Sequence, residues 1–263
     1  MLLKLAWRNL WRNKLRTSIV LGAMIFGLLG VTLMIGFMNG MVDNMISNAI
    51  NWQTSHLQIH QKTYPDDPKI SKTLVAQESL QKLLDDIPEV KVWAARHMLQ
   101  GMIASARSSR GITIKGIDLK KENLITPIAK NIVEGQWLND QGRNPILVSS
   151  KIAQRLKLRL GSKVVLTFTN QTGEVSGSAF RIRGIFKTPS SVFDEMNVLV
   201  RKSDLKILTE LSGDHEIAVL LKDIKQLNAF KLKLNNKLNA QNILRDWSQI
   251  QPMLSAMSAS MAS

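Results

Sequence analysis

Residues 7–30, WRNLWRNKLRTSIVLGAMIFGLLG, set two tryptophans and four cations directly before a run without charge. From Thr17 to Val42 no side chain is ionisable, about 26 residues against the roughly 20 that a helix needs to cross a bilayer core. A secretory signal would offer an apolar stretch of only about 7 to 15 residues and then a small-residue cleavage site. Buried helices of soluble proteins are shorter and interrupted by polar positions. The stretch therefore reads as a permanent membrane helix, residues 17–47, that runs on into a stalk.

The flanking charges orient it. Lys4, Arg8, Arg12, Lys14 and Arg16 precede the run, and Asp43 is the first charge after it. The positive-inside rule then keeps the N-terminus in the cytoplasm and delivers the bulk of the chain to the other side. In residues 1–16 helical spacing puts Leu3, Trp7, Leu10 and Trp11 on one face, with Arg8 and Arg12 displaced from it. That is an interfacial elbow, its membrane-interface residues being Trp7, Arg8, Trp11 and Arg12. A formal charge of +15 would also suit nucleic acid, through counterion release at phosphates. Cations that adjoin a membrane segment speak for lipid instead.

Two faces of the spanning helix differ. Gly36 and Gly40 form a GxxxG pair that allows a second helix to approach closely. Met34, Phe37, Met38 and Met41 recur at spacings of three and four, largely on the opposite side. Such a stripe faces lipid or a partner helix, or it lines a cavity for an acyl chain, since unbranched methionine adapts to irregular apolar shapes.

Beyond the membrane the composition is that of a folded protein, with 44% apolar and 21% charged residues and no cysteine. Leu57 and Ile59 alternate with polar residues as in a half-buried strand. Ala76 to Ile87 has helical periodicity, and Val90 to Lys115 reads as two long strands joined at Arg107–Gly111. Pro145–Ser149 reads as a strand, followed by a helix from Ser150 to Leu160 closed by Gly161. Strands follow at 163–169, 179–187, 196–200 and 216–221, with a short helix capped by Ser203 and an amphipathic helix over 223–238. The expected fold is an α+β extracytoplasmic domain, residues 48–245, with two subdomains meeting around Ile117 to Pro145, on a long N-terminal transmembrane helix. Residues 246–263 would begin a returning helix.

No catalytic motif emerges. His56 and His60 stand four positions apart on a strand, about 13 Å, too far for one metal ion. Ser79-x-x-Lys82 lacks partner motifs, and Asp66-Asp67 and Asp85-Asp86 sit in turn or solvated-helix contexts. GxSxG, HExxH and CxxC are absent from the sequence, as is G-x-x-x-x-G-K-[ST]. The chain therefore cannot hold ATP in a P-loop of its own. The expectation is a protein that is not an enzyme, without catalytic residues, bound metal or cofactor.

Several stretches, taken in order, carry a resemblance. They are Ala6-Trp7-Arg8-Asn9-Leu10 with Arg12-Asn13-Lys14-Leu15-Arg16-Thr17; His56-Leu57-Gln58-Ile59-His60 with Tyr64-Pro65-Asp66-Asp67; Val133-Glu134-Gly135-Gln136-Trp137-Leu138; Ile146-Leu147-Val148-Ser149; and Phe180-Arg181-Ile182-Arg183-Gly184-Ile185-Phe186. Together they resemble FtsX-like ABC transporter permeases with a MacB-like periplasmic core domain, of the LolC/LolE lipoprotein-releasing type. The resemblance implies a bacterial inner-membrane location with the main domain periplasmic. It implies a second permease copy, homo- or heterodimeric, and a cytoplasmic ABC ATPase subunit that holds ATP and Mg. It also implies extraction of a lipoprotein or related lipid substrate, handed to a periplasmic carrier. In that family further spans follow, so the end of this sequence at QPMLSAMSASMAS, residues 251–263, reads as truncation. The loop Asn170–Ser178 is short for the hook with which a LolC-type subunit docks its carrier. Two alternatives stand beside transport: a non-transporting FtsX-like mechanotransmitter acting on periplasmic partners, and a single-pass anchored binding module.

Overall fold

In the computed structural model, Trp7 and residues 12–262 are described. Arg8, Trp11 and most of the 1–16 elbow lie outside the described residues; Trp7 and Arg12 are exposed. The chain divides into two compact units, Met1–Ile46 with Ala256–Ser263, and Ser47–Ser255.

Helix α1 (Lys14–Ala49) spans 36 residues, roughly 54 Å at the usual rise. It is long and apolar enough to cross a membrane, with mean hydropathy 2.4 in its best window. Nothing lies within 4 Å of where a Cβ would stand on Gly36 or Gly40, and Met34, Phe37, Met38 and Met41 are exposed.

In the second unit, α1 passes into a single π-helical turn, Ile50–Thr54. The elements that follow are β1 (Leu57–Gln61), α2 (Gln77–Asp85), β2 (Val90–Ala104), β3 (Ser109–Ile117), α3 (Leu119–Ile125), a 3-10 turn at Pro127–Asn131 and β4 (Ile132–Gly135). Then come β5 (Pro145–Ser149), α4 (Ser150–Arg155), β6 (Lys163–Thr169), β7 (Val175–Phe186), α5 (Ser191–Met196), β8 (Asn197–Arg201) and α6 (Lys202–Thr209). The chain ends with β9 (Glu216–Leu221), α7 (Leu227–Asn235), β10 (Asn242–Asp246), α8 (Trp247–Ile250) and α9 (Pro252–Ala262).

Two lobes are built on one long strand. Strands β10, β1, β9 and the first half of β2 pair in that order, all antiparallel. With α2 after β1 and α7 after β9, this is a split βαβ unit of the ferredoxin-like kind. The second half of β2 pairs β3, and the ladder continues through β8, β5, β7 and β6 back to β2. It closes a six-stranded barrel inserted between β2 and β9. Along β6 the apolar Val164, Leu166 and Phe168 are buried while Lys163, Val165 and Thr169 are exposed, the period of two that a barrel wall requires.

Separate cores fill the lobes. Leu57, Ile59, Leu80, Leu84, Trp93, Phe230 and Leu234 pack one of them. Ile103, Ile112, Ile114, Val164, Leu166, Phe180 and Val198 pack the barrel. Each such side chain contributes about 1.5–3 kcal/mol by leaving water.

The α+β expectation holds, and several local readings change. The lobes meet at Arg96/His97 on β2 and at Asp214/His215 before β9, where the ladder partners switch, rather than around Ile117 to Pro145. Strand β1 is buried on both faces, Gln58 and His60 included, because helices cover one side of this sheet and a polar cluster the other. The helix after Ser150 stops at Arg155, since Lys157 adopts φ 53° and leaves the helical region. Strand β7 begins at Val175, so the second half of NQTGEVSGS, residues 175–178, is hairpin strand that follows a turn at 170–173. Arg201 occupies the N-cap of α6, without a side-chain cap, and Ser203 lies inside the helix.

Candidate functional site

Two places in the second unit hold chemistry that a bland core would not need: the root, where the chain enters and leaves the domain, and a charged seam between the lobes.

At the root the π-helical turn positions Trp52 inward. Its indole is buried with Ile117, Leu147, Phe186, Phe193 and Leu199. Ser55 then takes φ 56° and ψ −167°, a costly backbone state for a residue with a side chain, and swings the chain from helix to strand. Gln53 donates from Nε2 to Ser190 Oγ, and its Oε1 accepts from Gln251 Nε2 at 3.3 Å. The Trp247 amide donates to the His56 carbonyl at 3.2 Å. Asp246 caps α8 through a capping box with Gln249 and pairs with Lys231 at 2.6 Å. Residues 50–56 and 246–251 are thereby knitted together although some 200 positions separate them, and β1 pairs β10 directly above. Single π-turns recur at functional places in helices, and here one marks where the segment following α1 meets the fold.

The seam is made by residues next to the partner switch. Arg96 is buried, with Nε 3.0 Å and Nη2 2.7 Å from the two Glu122 oxygens, and Nη1 2.6 Å from Glu216 Oε1. Burial opposes its charge, but Glu122 and Glu216 outweigh that and hold the guanidinium above its usual range. Lys115 is buried beside them with Nζ 4.9 Å from the centre of the Phe193 ring; burial, then Arg96, push it down to about 8. For Glu216 burial pulls upward, but Arg96 wins and the carboxylate titrates low.

Histidines line the same seam. His60 sits 3.7 Å from Glu216 and stacks on Tyr64 at 5.4 Å. His215 accepts the Met98 amide on Nδ1 and donates from Nε2 to the Ile70 carbonyl at 2.8 Å, which fixes a neutral tautomer. His97 lies edge-on to it at 4.7 Å and donates from Nδ1 to Gly213 O at 2.9 Å. Burial, with His215 beside it, pushes His97 down to about 4. Lys202 and Lys206 meet the buried Asp214 at 3.3 and 3.1 Å.

Chemically the seam is a network of buried ion pairs at the junction of the lobes, in which Asp214 Oδ1 has the Lys206 charge beside it but no hydrogen-bond donor. Among the described residues no three His, Asp or Glu side chains come together as a metal site. His56 and His60 have separate duties: His56 Nδ1 accepts the Leu221 amide at 2.9 Å, while His60 joins the seam. The residues singled out from sequence on the long apolar helix are in neither place. Sequence reasoning missed Arg96, Lys115, Glu122, His97, Asp214, His215 and Glu216. The signal was present: Arg96-His97 interrupts an otherwise apolar strand, VWAARHML (92–99), and Asp214-His215-Glu216 directly precedes IAVLL.

Residues 17–237 match the family described as the MacB-like periplasmic core domain. No curated protein matches the chain. Among solved structures, the extracellular domain of the ABC-type transporter YknZ from Gram-positive bacteria is similar at 15% identity, over 73% of this chain and 99% of that one, with a TM-score of 0.50. The periplasmic region of MacB from Actinobacillus actinomycetemcomitans is similar at 12% identity, over 79% and 96%, with a TM-score of 0.52. At these identities the two structures speak for the fold, and the family match speaks for kinship. The chain belongs to the family with the MacB-like periplasmic core domain, the extracytoplasmic part of ABC-transporter-type permeases.

Proposed function

We propose that the chain is a permease subunit that takes ATP-driven motion from a cytoplasmic ATPase partner and passes it through the root into the two-lobed domain, to extract or release lipoproteins or related amphiphiles. The observation that carries this reading is the convergence of residues 50–56 and 246–251 in one hydrogen-bonded root. Displacement arriving along either end of the domain reaches the same Trp52-centred core. The seam then keeps the lobes from shearing, because separating Arg96 from its carboxylates would leave charges unpaired in a dry interior.

In this reading the N-terminus is cytoplasmic and the domain periplasmic, on the bacterial inner membrane. ATP and Mg bind the ATPase subunit, and this chain performs no catalysis. Gly36 and Gly40 give close approach to a second permease copy, and Met34, Phe37, Met38 and Met41 line an acyl-chain cavity. The test places photo-crosslinking residues at Met38 and Met41 in the assembled complex. Trapping of acylated protein is the expected result; a complex that stays intact and traps none would remove the acyl cavity.

A further inference from the structure

The positive charge of the domain is concentrated. Between Arg143 and Lys187 the sequence carries nine lysines and arginines and a single acid, Glu174. The fold gathers most of them on the outside of the barrel around two adjoining cavities. Arg143, Arg181 and Arg183 line one of about 600 Å³, and Arg107, Lys157 and Arg159 line one of about 720 Å³. The pairs Glu134-Gly135 and Arg159-Leu160 are chain neighbours divided between the two linings, and Glu134 is the one carboxylate in either.

Two further facts show that this charge is kept rather than neutralised. Lys163 faces Arg181 directly across the β6–β7 ladder, a like-charge pair that costs stability. None of these seven side chains forms an ion pair among the described residues. Elsewhere the domain pairs its cations readily, as Lys72 with Asp67, Lys202 with Asp214 and Lys231 with Asp246. Arg181 gives one N–H to the Gly161 carbonyl and Arg183 one to Gln136 Oε1, which fixes their stems and leaves the remaining donors free.

We propose that this face of the barrel binds a linear polyanion bearing repeated phosphate groups. Arg181 and Arg183 point the same way from alternate positions of β7, about 7 Å apart, and guanidinium forks take phosphate oxygens in pairs. Concave linings admit a chain but not a flat lipid surface. A protein partner would bring apolar anchoring, for which the face offers little beyond Leu160 and the isolated valines Val133 and Val165. The proposal stands apart from the transport reading.

The experiment measures fluorescence anisotropy of labelled long-chain polyphosphate with the full chain in nanodiscs of zwitterionic lipid. With six contacts the slope of log K on log salt should be near −4, a loss of about 300-fold between 50 and 200 mM salt. Arg181→Gln/Arg183→Gln, at exposed positions and checked for folding by circular dichroism, should weaken binding at least 10-fold and bring the slope to about −3. Lys225→Gln/Lys237→Gln, an equal charge change on another part of the surface, should leave both unchanged. The proposal is overturned if the arginine variant binds like the parent, if the lysine control weakens binding equally, or if polyglutamate or phosphatidylglycerol vesicles bind as tightly as polyphosphate.

Discussion

Replacing Arg96 with methionine would test what holds the lobes together. Arg96, Lys115, Glu122 and Glu216 form a buried set of two cations and two carboxylates. The substitution keeps the volume roughly constant, so the packing loss is small. It removes three charge-assisted hydrogen bonds of 2.6 to 3.0 Å and leaves one carboxylate without a counter-charge. Breaking a buried pair on one side costs about 3–5 kcal/mol, and for a domain of this size each kcal/mol moves Tm by about 2–4 °C. A fall of roughly 10 °C is expected in thermal unfolding followed by tryptophan fluorescence, since Trp93 lies three residues away on β2. Adding Glu216→Gln restores neutrality with Lys115 and Glu122 remaining, and should recover a substantial part of the loss. A single variant within 2 °C of the parent, or a double variant worse than the sum of the two single ones, would refute the ion-pair network as what holds the lobes together.

Three other outcomes follow from the same structure. His97 is native in its neutral form, with a pKa of about 4 against an ordinary 6.5. The stability it supplies is therefore complete above pH 6.5 and drains as pH falls toward 4, on the order of 3 kcal/mol in all; urea titrations should show that slope, and His97→Gln should flatten it. Gly135 has φ +79°, and a Cβ there would run into the Arg183 carbonyl and Leu160, so Gly135→Ala should cost about 3 kcal/mol in chemical denaturation. Trp52→Ala empties the centre of the root core, costs about 3–5 kcal/mol, and in the assembled complex should leave ATP hydrolysis running while cargo release slows. Equal loss of both activities would contradict the assignment of Trp52 to transmission.

The long apolar helix was legible because its signal is a simple absence of charge over a long run. Strands such as β9 and the β2–β3 hairpin were legible from period and turn residues. The two-lobe division was hidden, because β2 is continuous in sequence and belongs to both lobes; only the pairing of Arg96 with Glu216 and of His97 with Gly116 shows where the partner changes. Helix α4 was read too long, since Leu156, Leu158 and Leu160 keep an apolar rhythm while Lys157 turns the backbone away. The seam stayed invisible because each of its residues has an innocent local reading. Glu122 is a helix residue in LKKENLI, and its partner Arg96 is 26 positions earlier. Chemistry assembled by long-range pairing leaves little trace in local pattern.

The most direct test of the central claim is a distance measurement at the root. The sequence has no cysteine, so Gln53→Cys and Gln251→Cys can carry spin labels without background from this chain, in a complex whose other subunits have been freed of reactive thiols. The two side chains meet at 3.3 Å and are held to move as one. A narrow label distance unchanged between nucleotide-free and ATP-bound complexes is the expected result. A distribution that splits or shifts by several ångströms on ATP binding would show the two legs moving independently, and would contradict transmission through a single root.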